Sequence, residues 1–278
     1  MSTIRELYLS ALKKLDARVS PNDLRLLLLE MNHFANYAEL DIYQNKEVAN
    51  EIDFWKTFER LNNGEPVQYI VHNANFYGHD YYVDKNVLIP RPETEELVNY
   101  ALQDIQKKYH NQSLVLVDVG TGSGVIAIEC ARQLPNAEVH AVDISTEALA
   151  VAKKNADTYQ TNITFHQGNM LTPLITNKHL VDVIISNPPY INAATEIDRH
   201  VLDYEPHLAL FASHGIDFYQ EIITQSVLVK KDHIHLYFEI GEDQEPLLSV
   251  FLHDYYPHIK PVFKKDLQGK TRFLFIDF

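Results

Sequence analysis

The chain divides by the period of its apolar positions. Up to about residue 65 they recur at helical spacing, with Ile4, Leu7, Tyr8, Ala11, Leu12 and Leu15 on one stripe. Thr3 and Glu6 have the spacing of a capping box at the head of that helix. Ser20-Pro21 sets a cap before a proline at the first helical position, and the near-continuous run Leu24, Leu26 to Leu29 predicts a buried helix after it. A further stripe of Val48, Ile52, Trp55, Phe58 and Leu61 ends at Gly64, a residue suited to a helix C-terminus. These helices predict a small bundle over residues 1–65 that binds a substrate or packs as an appendage; the pattern leaves both open.

Residues 66–90 change texture. Glu65-Pro-Val-Gln-Tyr-Ile70 reads as extended, and Phe76-Tyr77-Gly78 and Tyr81-Tyr82-Val83 read as two arms of a hairpin with Gly78 near the turn. Arg91 stands between Pro90 and Pro92, so a stiff extended backbone is expected there, followed by a helix whose first turn carries Glu93, Glu95 and Glu96. From Leu114 onward, short apolar runs alternate with helical stripes. Strands are expected at Leu114 to Val119, Glu138 to Asp143, Ile163 to His166, Val181 to Ser186 and His233 to Ile240, and a closing pair at Ile259 to Phe263 and Thr271 to Phe278. Alternation of this kind predicts an α/β fold with a mostly parallel sheet covered on both faces, and an antiparallel strand from the closing pair at or near one edge. The domains expected are therefore helices over 1–65, a hairpin linker over 66–90 and an α/β domain over 91–278.

Composition narrows the classes of function. Hydrophobic residues make up 46% of 278 positions, ample for a core. Acidic residues outnumber basic ones by 38 to 24, a net charge of −14, which argues against stable nucleic-acid binding resting on broad cationic surface. The single cysteine, Cys130, rules out an internal disulfide and fits a reducing cytoplasm. The start Met1-Ser-Thr-Ile-Arg-Glu6 is charged and no apolar run approaches the ~20 residues of a membrane span, so neither export nor membrane insertion is expected. The glycosylation sequons at Asn111 and Asn162 are read as chance.

The chemistry gathers at strand ends. Asp118-Val-Gly-Thr-Gly-Ser-Gly124 joins the first strand to a helix. Gly120, Gly122 and Gly124, with Thr121 and Ser123 between them, permit a tight turn and close backbone approach to a ligand at a helix N-terminus. The spacing is not the Gly-x-Gly-x-x-Gly of dinucleotide binders. Asp143 ends the second strand, where a carboxylate can accept from both ribose hydroxyls of a nucleoside. Asn169 and Met170, after the third strand, could accept from an adenine amino group and pack on the base, or belong to an ordinary loop. The fourth strand runs into Asn187-Pro188-Pro189-Tyr190. Two prolines make a rigid rim there, presenting the Asn187 side-chain oxygen, the Pro188 carbonyl and the Tyr190 ring, a set suited to a flat NH2 group; a bare Pro-Pro is more often a surface turn. In an open α/β sheet, ligands bind beyond the carboxyl ends of the strands, where all these residues fall. A nucleoside cofactor beside an NH2 acceptor suggests S-adenosylmethionine and N-methylation. No metal cluster is evident, and His233 and His235 read as ordinary strand residues.

The combination resembles class I S-adenosylmethionine-dependent methyltransferases acting on planar nitrogens, a Rossmann-like fold with a seven-stranded, mostly parallel sheet. Six blocks narrow it: Glu65 to Ile70, Val87 to Glu95, Asp118 to Gly124, Ser186 to Tyr190, Tyr204-Glu-Pro-His207 and Asp266-Leu-Gln-Gly-Lys270. Together they are similar to the peptide chain release factor glutamine N5-methyltransferases (the PrmC/HemK family). The resemblance implies methyl transfer from S-adenosylmethionine to the side-chain amide of the glutamine in the Gly-Gly-Gln motif of release factors, in the cytoplasm. It implies cofactor contacts from Gly120 to Gly124, Asp143, Asn169, Met170 and Asn187, and substrate contacts from Arg91 and Asn187 to Tyr190. Asn187 and Pro188 would hold the amide N–H groups, and Tyr190 would pack on the amide plane. The family often has Asp where this chain has Asn169. An adenine amino-methyltransferase of nucleic acid, which uses the same rim, is the alternative; the net charge and the lack of an obvious inserted recognition domain stand against it.

Overall fold

The computed structural model describes residues 2–110, 112–192, 199–212 and 215–278. Asn111, which opens one of the two sequons, lies outside them. Two compact units emerge, each with its own core.

The first unit comprises the chain up to Asn73, joined by the helix at Arg199–Tyr204. Its helices are α1 (Ile4–Leu12), α2 (Pro21–Met31), α3 (Tyr37–Ile42), α4 (Glu51–Asn62) and α5 (Val67–Val71). The capping box forms as expected, with Glu6 N–H donating to Thr3 Oγ1 at 3.2 Å and Thr3 N–H to Glu6 Oε2 at 2.9 Å. Ser20 caps α2 by accepting from Asn22 N–H, an interaction worth about 1 kcal/mol. Leu24, Leu27 and Leu28 are buried against Ile4, Leu7, Ala11, Phe54, Phe58 and Leu61. Two expectations fail here. Ile52 is 72% exposed; the buried face of α4 is set by Phe54, Phe58 and Leu61, one phase round from the expected stripe. Val67–Val71 is a helical turn rather than an extended segment, because Val67, Tyr69 and Ile70 bury together at helical spacing.

The second unit opens with a hairpin of β1 (Ala74–Phe76) and β2 (His79–Tyr81). Tyr77 and Gly78 at its turn both have positive φ, the geometry of a two-residue turn that matches strand twist. Then follow α6 (Pro92–Tyr109), β3 (Leu114–Val119), α7 (Val125–Gln133), β4 (Ala137–Asp143), α8 (Thr146–Thr158), β5 (Ile163–Gln167), α9 (Thr172–Thr176), β6 (Val181–Ser186) and β7 (Ile191–Asn192). After α10 (Arg199–Tyr204) come α11 (His207–Leu210), β8 (Phe211–Ala212), α12 (Asp217–Val229), β9 (Lys230–Glu239), α13 (Glu245–Tyr255), β10 (Val262–Lys265) and β11 (Thr271–Asp277).

The main sheet has seven strands in the order β10-β11-β9-β6-β3-β4-β5. β9, β6, β3, β4 and β5 are parallel neighbours, while β11 runs antiparallel to both its neighbours, β9 and β10, and β10 closes one edge. This is the Rossmann-like arrangement expected. Successive side chains of a strand face opposite ways, so each strand feeds two cores. Leu116, Val183 and Tyr237 bury under α6 and α7, whereas Val117, Ile184 and Leu236 bury with residues of α12 and α13. Each such side chain contributes on the order of 2 kcal/mol of apolar burial. The chain leaves β3 toward β4 and β5, then returns to set β6 on the other side of β3. That reversal opens a crevice at the carboxyl ends of β3 and β6. No helix among the described residues is long and apolar enough to cross a membrane.

Candidate active site

A cavity of about 310 Å³ occupies this crevice, within the range of small-molecule sites. The glycine turn, Asp143, Asn169, Met170, Asn187, Pro188, Pro189 and Arg91 all line it. Strand ends far apart in sequence thus meet where the fold places a ligand.

The glycine turn is pinned to β4, because Gly120 N–H and Thr121 N–H both donate to the Val142 carbonyl, at 2.9 and 3.0 Å. Gly120 and Gly122 have φ of +75° and +53°, and no atom stands within 4 Å of the place a Cβ would take, so the bare backbone faces open space. Gly124 serves packing: at φ +85° a Cβ would come within 3.0 Å of Ala152 Cβ on α8. Asp118 sits behind the turn, fully buried, accepting from the Thr121 hydroxyl at 2.6 Å and Ala127 N–H at 3.2 Å. Burial pushes its carboxyl up to about 7, against the pull of those two donors.

Asp143 accepts from Gly122 N–H through Oδ2 and from Ser145 N–H through Oδ1, both at 2.9 Å. Burial raises its pKa and the backbone donors oppose it. Each carboxylate oxygen keeps a further lone pair for a diol. Asn169 Nδ2 donates to Glu221 Oε1 at 2.8 Å, which leaves its side-chain oxygen as an acceptor. Met170, with φ of +47°, is nearly buried between cavity and core. Bare backbone at a helix start, an acidic strand end and an acceptor beside an apolar side chain together fit S-adenosylmethionine.

The rim is held from behind. Ser186 Oγ donates to the Val119 carbonyl at 2.7 Å, tying the ends of β6 and β3 together. Asn187 Nδ2 donates to Thr94 Oγ1 at 3.0 Å, and Thr94 Oγ1 donates to Glu239 Oε2 at 2.7 Å. Glu239, at the end of β9, is 1% exposed, and burial pushes its carboxyl up to about 7. Tyr190 stands apart from the other rim residues. It does not line the cavity; its hydroxyl donates to Glu239 Oε1 at 3.3 Å, and burial with that carboxylate pushes the phenol up. Its hydroxyl is thereby tied to the end of β9.

Arg91 has extended backbone, φ −106° and ψ 149°, as its two prolines predict, and it occupies the N-cap position of α6 without a side-chain capping bond. Its guanidinium pairs with Glu205 Oε1 at 2.5 Å, and Glu205, 4% exposed, also accepts from Ile89 N–H. Three supporting groups had no role assigned from sequence: Thr94 and Glu205, which lie inside the blocks Val87 to Glu95 and Tyr204 to His207, and Glu239. A lone acid closing the apolar run His233 to Ile240 at a strand's carboxyl end was the available signal for Glu239. Among the described residues, no group of three or more His, Cys, Asp or Glu could hold a metal ion.

Comparison with known proteins agrees with this layout. The family model of the methyltransferase small domain matches residues 99–203. The release factor glutamine methyltransferase of Flavobacterium psychrophilum is 38% identical over 260 residues, covering 91% of this chain and 90% of that protein. The protein of the same name from Lactococcus lactis is 36% identical, covering 96% and 98%. Among solved structures, a methyltransferase from Pyrococcus furiosus superposes with a TM-score of 0.52 at 17% identity, covering 73% of this chain and 90% of that one. The 16S rRNA N2 G1207 methyltransferase of Thermus thermophilus, in complex with AdoMet and guanosine, gives 0.52 at 16% identity, covering 73% and 49%. These likenesses carry the fold.

Proposed function

The chain belongs to the release factor glutamine methyltransferases, and from that premise we propose how its residues act. It transfers a methyl group from S-adenosylmethionine to the side-chain amide nitrogen of a glutamine in a peptide chain release factor. The glutamine is that of the Gly-Gly-Gln motif, and a substrate that works in translation places the enzyme in the cytoplasm.

When bound, S-adenosylmethionine supplies an electrophilic methyl group. The glycine turn and Asp143 would hold it, with Asn169 and Met170 contributing further contacts. An amide nitrogen is a poor nucleophile because its lone pair is delocalised into the carbonyl. Orienting that nitrogen removes much of the entropic barrier. Asn187 Oδ1 and the Pro188 carbonyl accept its two N–H groups and fix its plane. As nitrogen gains positive charge, those N–H groups become stronger donors, so both bonds tighten in the transition state. Arg91, held by Glu205, borders the site on the substrate side. The N–C bond forms as the donor's methyl–sulfur bond breaks, with S-adenosylhomocysteine as the leaving group. The acidified nitrogen then gives one N–H proton to solvent, so no general base with a pKa matched to pH 7 is needed to reach that transition state.

The observation that supports this reading best is that one cavity is lined by both the glycine turn with Asp143 and the Asn187-Pro188 rim. A methyl-transfer assay with labelled S-adenosylmethionine tests it. Label should enter purified release factor and not its Gly-Gly-Gln glutamine→Ala variant. Label in adenine-bearing nucleic acid, with none in release factor, would move the assignment to the adenine amino-methyltransferases.

A further inference from the structure

Asn187 can perform its part only in one of two orientations. A side-chain amide is nearly symmetric in shape, and a half-turn about its last bond exchanges oxygen and nitrogen. With Oδ1 toward the cavity it accepts from the glutamine NH2 group. With Nδ2 there it meets that group donor to donor. Nothing in the shape of the rim chooses between the two. We propose that Thr94 and Glu239 are positioning residues, which fix the acceptor orientation of Asn187 by leaving the Thr94 oxygen only lone pairs to offer it.

The argument is one of proton supply. A threonine hydroxyl has a single proton. Thr94 gives it to Glu239 Oε2 across 2.7 Å, a charge-assisted bond when that carboxylate is ionised. Toward Asn187 it is then an obligate acceptor, and Asn187 Nδ2 donates to it across 3.0 Å. Flipping the amide would set Oδ1 against the Thr94 lone pairs and lose the bond. Thr94 is 4% exposed and Glu239 1%, so water does not substitute for either partner. The order of donation from Asn187 through Thr94 to Glu239 is therefore set at its far end by the carboxylate's charge. This role deepens the glutamine methyltransferase reading, and its catalytic part rests on it.

A protonated Glu239 reverses the logic. It could donate to Thr94 Oγ1, which frees the threonine proton to point at Asn187 and favours the flipped amide. Glu239 is poised for this, since burial pushes its carboxyl up to about 7. The groups that face it are Thr94 and Glu93 from α6, Tyr190 from the rim, and Arg272 from β11. Tyr219 from α12 donates to its backbone carbonyl. Glu93 raises its pKa further, while Thr94, Tyr190 and Arg272 oppose. The acceptor orientation is thus present above the folded pKa and lost as pH falls through it. Asp118 titrates in the same range, so a substitution at Glu239, rather than the wild-type pH profile, assigns the limb.

Thr94→Val keeps the shape and removes the hydroxyl; Thr94→Ser keeps the hydroxyl. Methylation of release factor should show kcat reduced about tenfold or more in T94V, the size of one lost orienting hydrogen bond. S-adenosylmethionine affinity by calorimetry should stay at the wild-type value in T94V, and T94S should recover most of kcat. In the wild type kcat should fall as pH drops through about 7, and Glu239→Gln should lose that limb. A substrate-free readout accompanies these. The Asn187 side-chain amide resonance should shift with pH in the wild type and stand still in T94V. T94V with wild-type kcat and a wild-type amide titration overturns the relay. So does a parallel loss of kcat and cofactor affinity in T94V and T94S, which marks packing alone. A wild-type enzyme that leaves release factor unlabelled while the Asn187 resonance titrates through Thr94 overturns the substrate reading and leaves the relay standing.

Discussion

Asn169 donates its side-chain amide to the Glu221 carboxylate across 2.8 Å. The bond engages the nitrogen end of an amide that lines the cavity and leaves the oxygen end as the acceptor. The side chain thus still presents an acceptor without a charge of its own, and the negative charge beside it is that of Glu221 on α12. Glu221→Ala should therefore weaken S-adenosylmethionine binding about fivefold, the value of one exposed orienting bond, with kcat at saturation unchanged. Asn169→Asp alone should also weaken it, because two carboxylates would then face each other at hydrogen-bond distance; adding Glu221→Gln should restore it. Calorimetry on the three variants checks this, and an E221A protein that binds as tightly as the wild type removes Glu221 from the account.

Arg91 and Glu205 form the second pairing. Glu205 is 4% exposed, while the Arg91 side chain is one-third exposed at the cavity edge. Removing the arginine leaves a buried carboxylate unpaired, which is costlier than losing an exposed ion pair. Arg91→Ala should lower unfolding free energy by about 2–3 kcal/mol and also raise KM for release factor. Arg91→Lys should recover less than half of the stability, since a point charge does not reproduce the guanidinium geometry. Urea unfolding beside steady-state kinetics separates the two effects. An R91A chain of wild-type stability would mean that the pair contributes nothing to the fold.

How far these groups were legible in sequence follows from how local each cause is. The glycine turn, Asp143 and Asn187-Pro-Pro-Tyr190 were readable because each needs only its own few residues and a strand end to sit on. Arg91's extended backbone was readable because two flanking prolines dictate it. Thr94, Glu205 and Glu239 were not, because their roles are made by pairings across more than 90 positions of chain. The direction of the Tyr190 hydroxyl depends on Glu239 and was lost with it. Ile52 misled for another reason: an apolar residue at helical spacing does not tell which phase of the stripe is buried when Phe54 and Ile52 compete.

Asn187→Ala removes an acceptor whose bond strengthens as charge grows on the target nitrogen. The expected loss is about 10²–10³ in kcat, the scale seen when a preorganised transition-state contact is deleted. S-adenosylmethionine affinity should change less than about threefold, since a contact made to the second substrate contributes little to the first. Single-turnover methylation together with cofactor titration measures both. Equal losses in turnover and cofactor affinity would show that Asn187 serves the cofactor rather than the amide.

The buried acid behind the glycine turn should govern the pH dependence of stability. Asp118 has no exposure, and burial pushes its pKa from 3.8 to about 7 in the folded chain. A raised carboxyl pKa means that the folded state binds its proton more tightly than the unfolded state does. Its contribution is fully present below about pH 4 and is lost as pH rises through about 7. A three-unit shift corresponds to up to about 4 kcal/mol over that window, and Glu239 acts in the same direction. Asp118→Asn keeps an oxygen to accept from Thr121 and Ala127 and places its NH2 where Asp118 Oδ1 already lacks a partner. The variant cannot ionise. Its unfolding free energy should fall less than the wild type's between pH 5 and pH 8, so that it is the more stable of the two at pH 8. Denaturant unfolding at the two pH values measures the slopes. Identical slopes would mean that Asp118 is already ionised across the window, with its charge held by Thr121 and Ala127 alone.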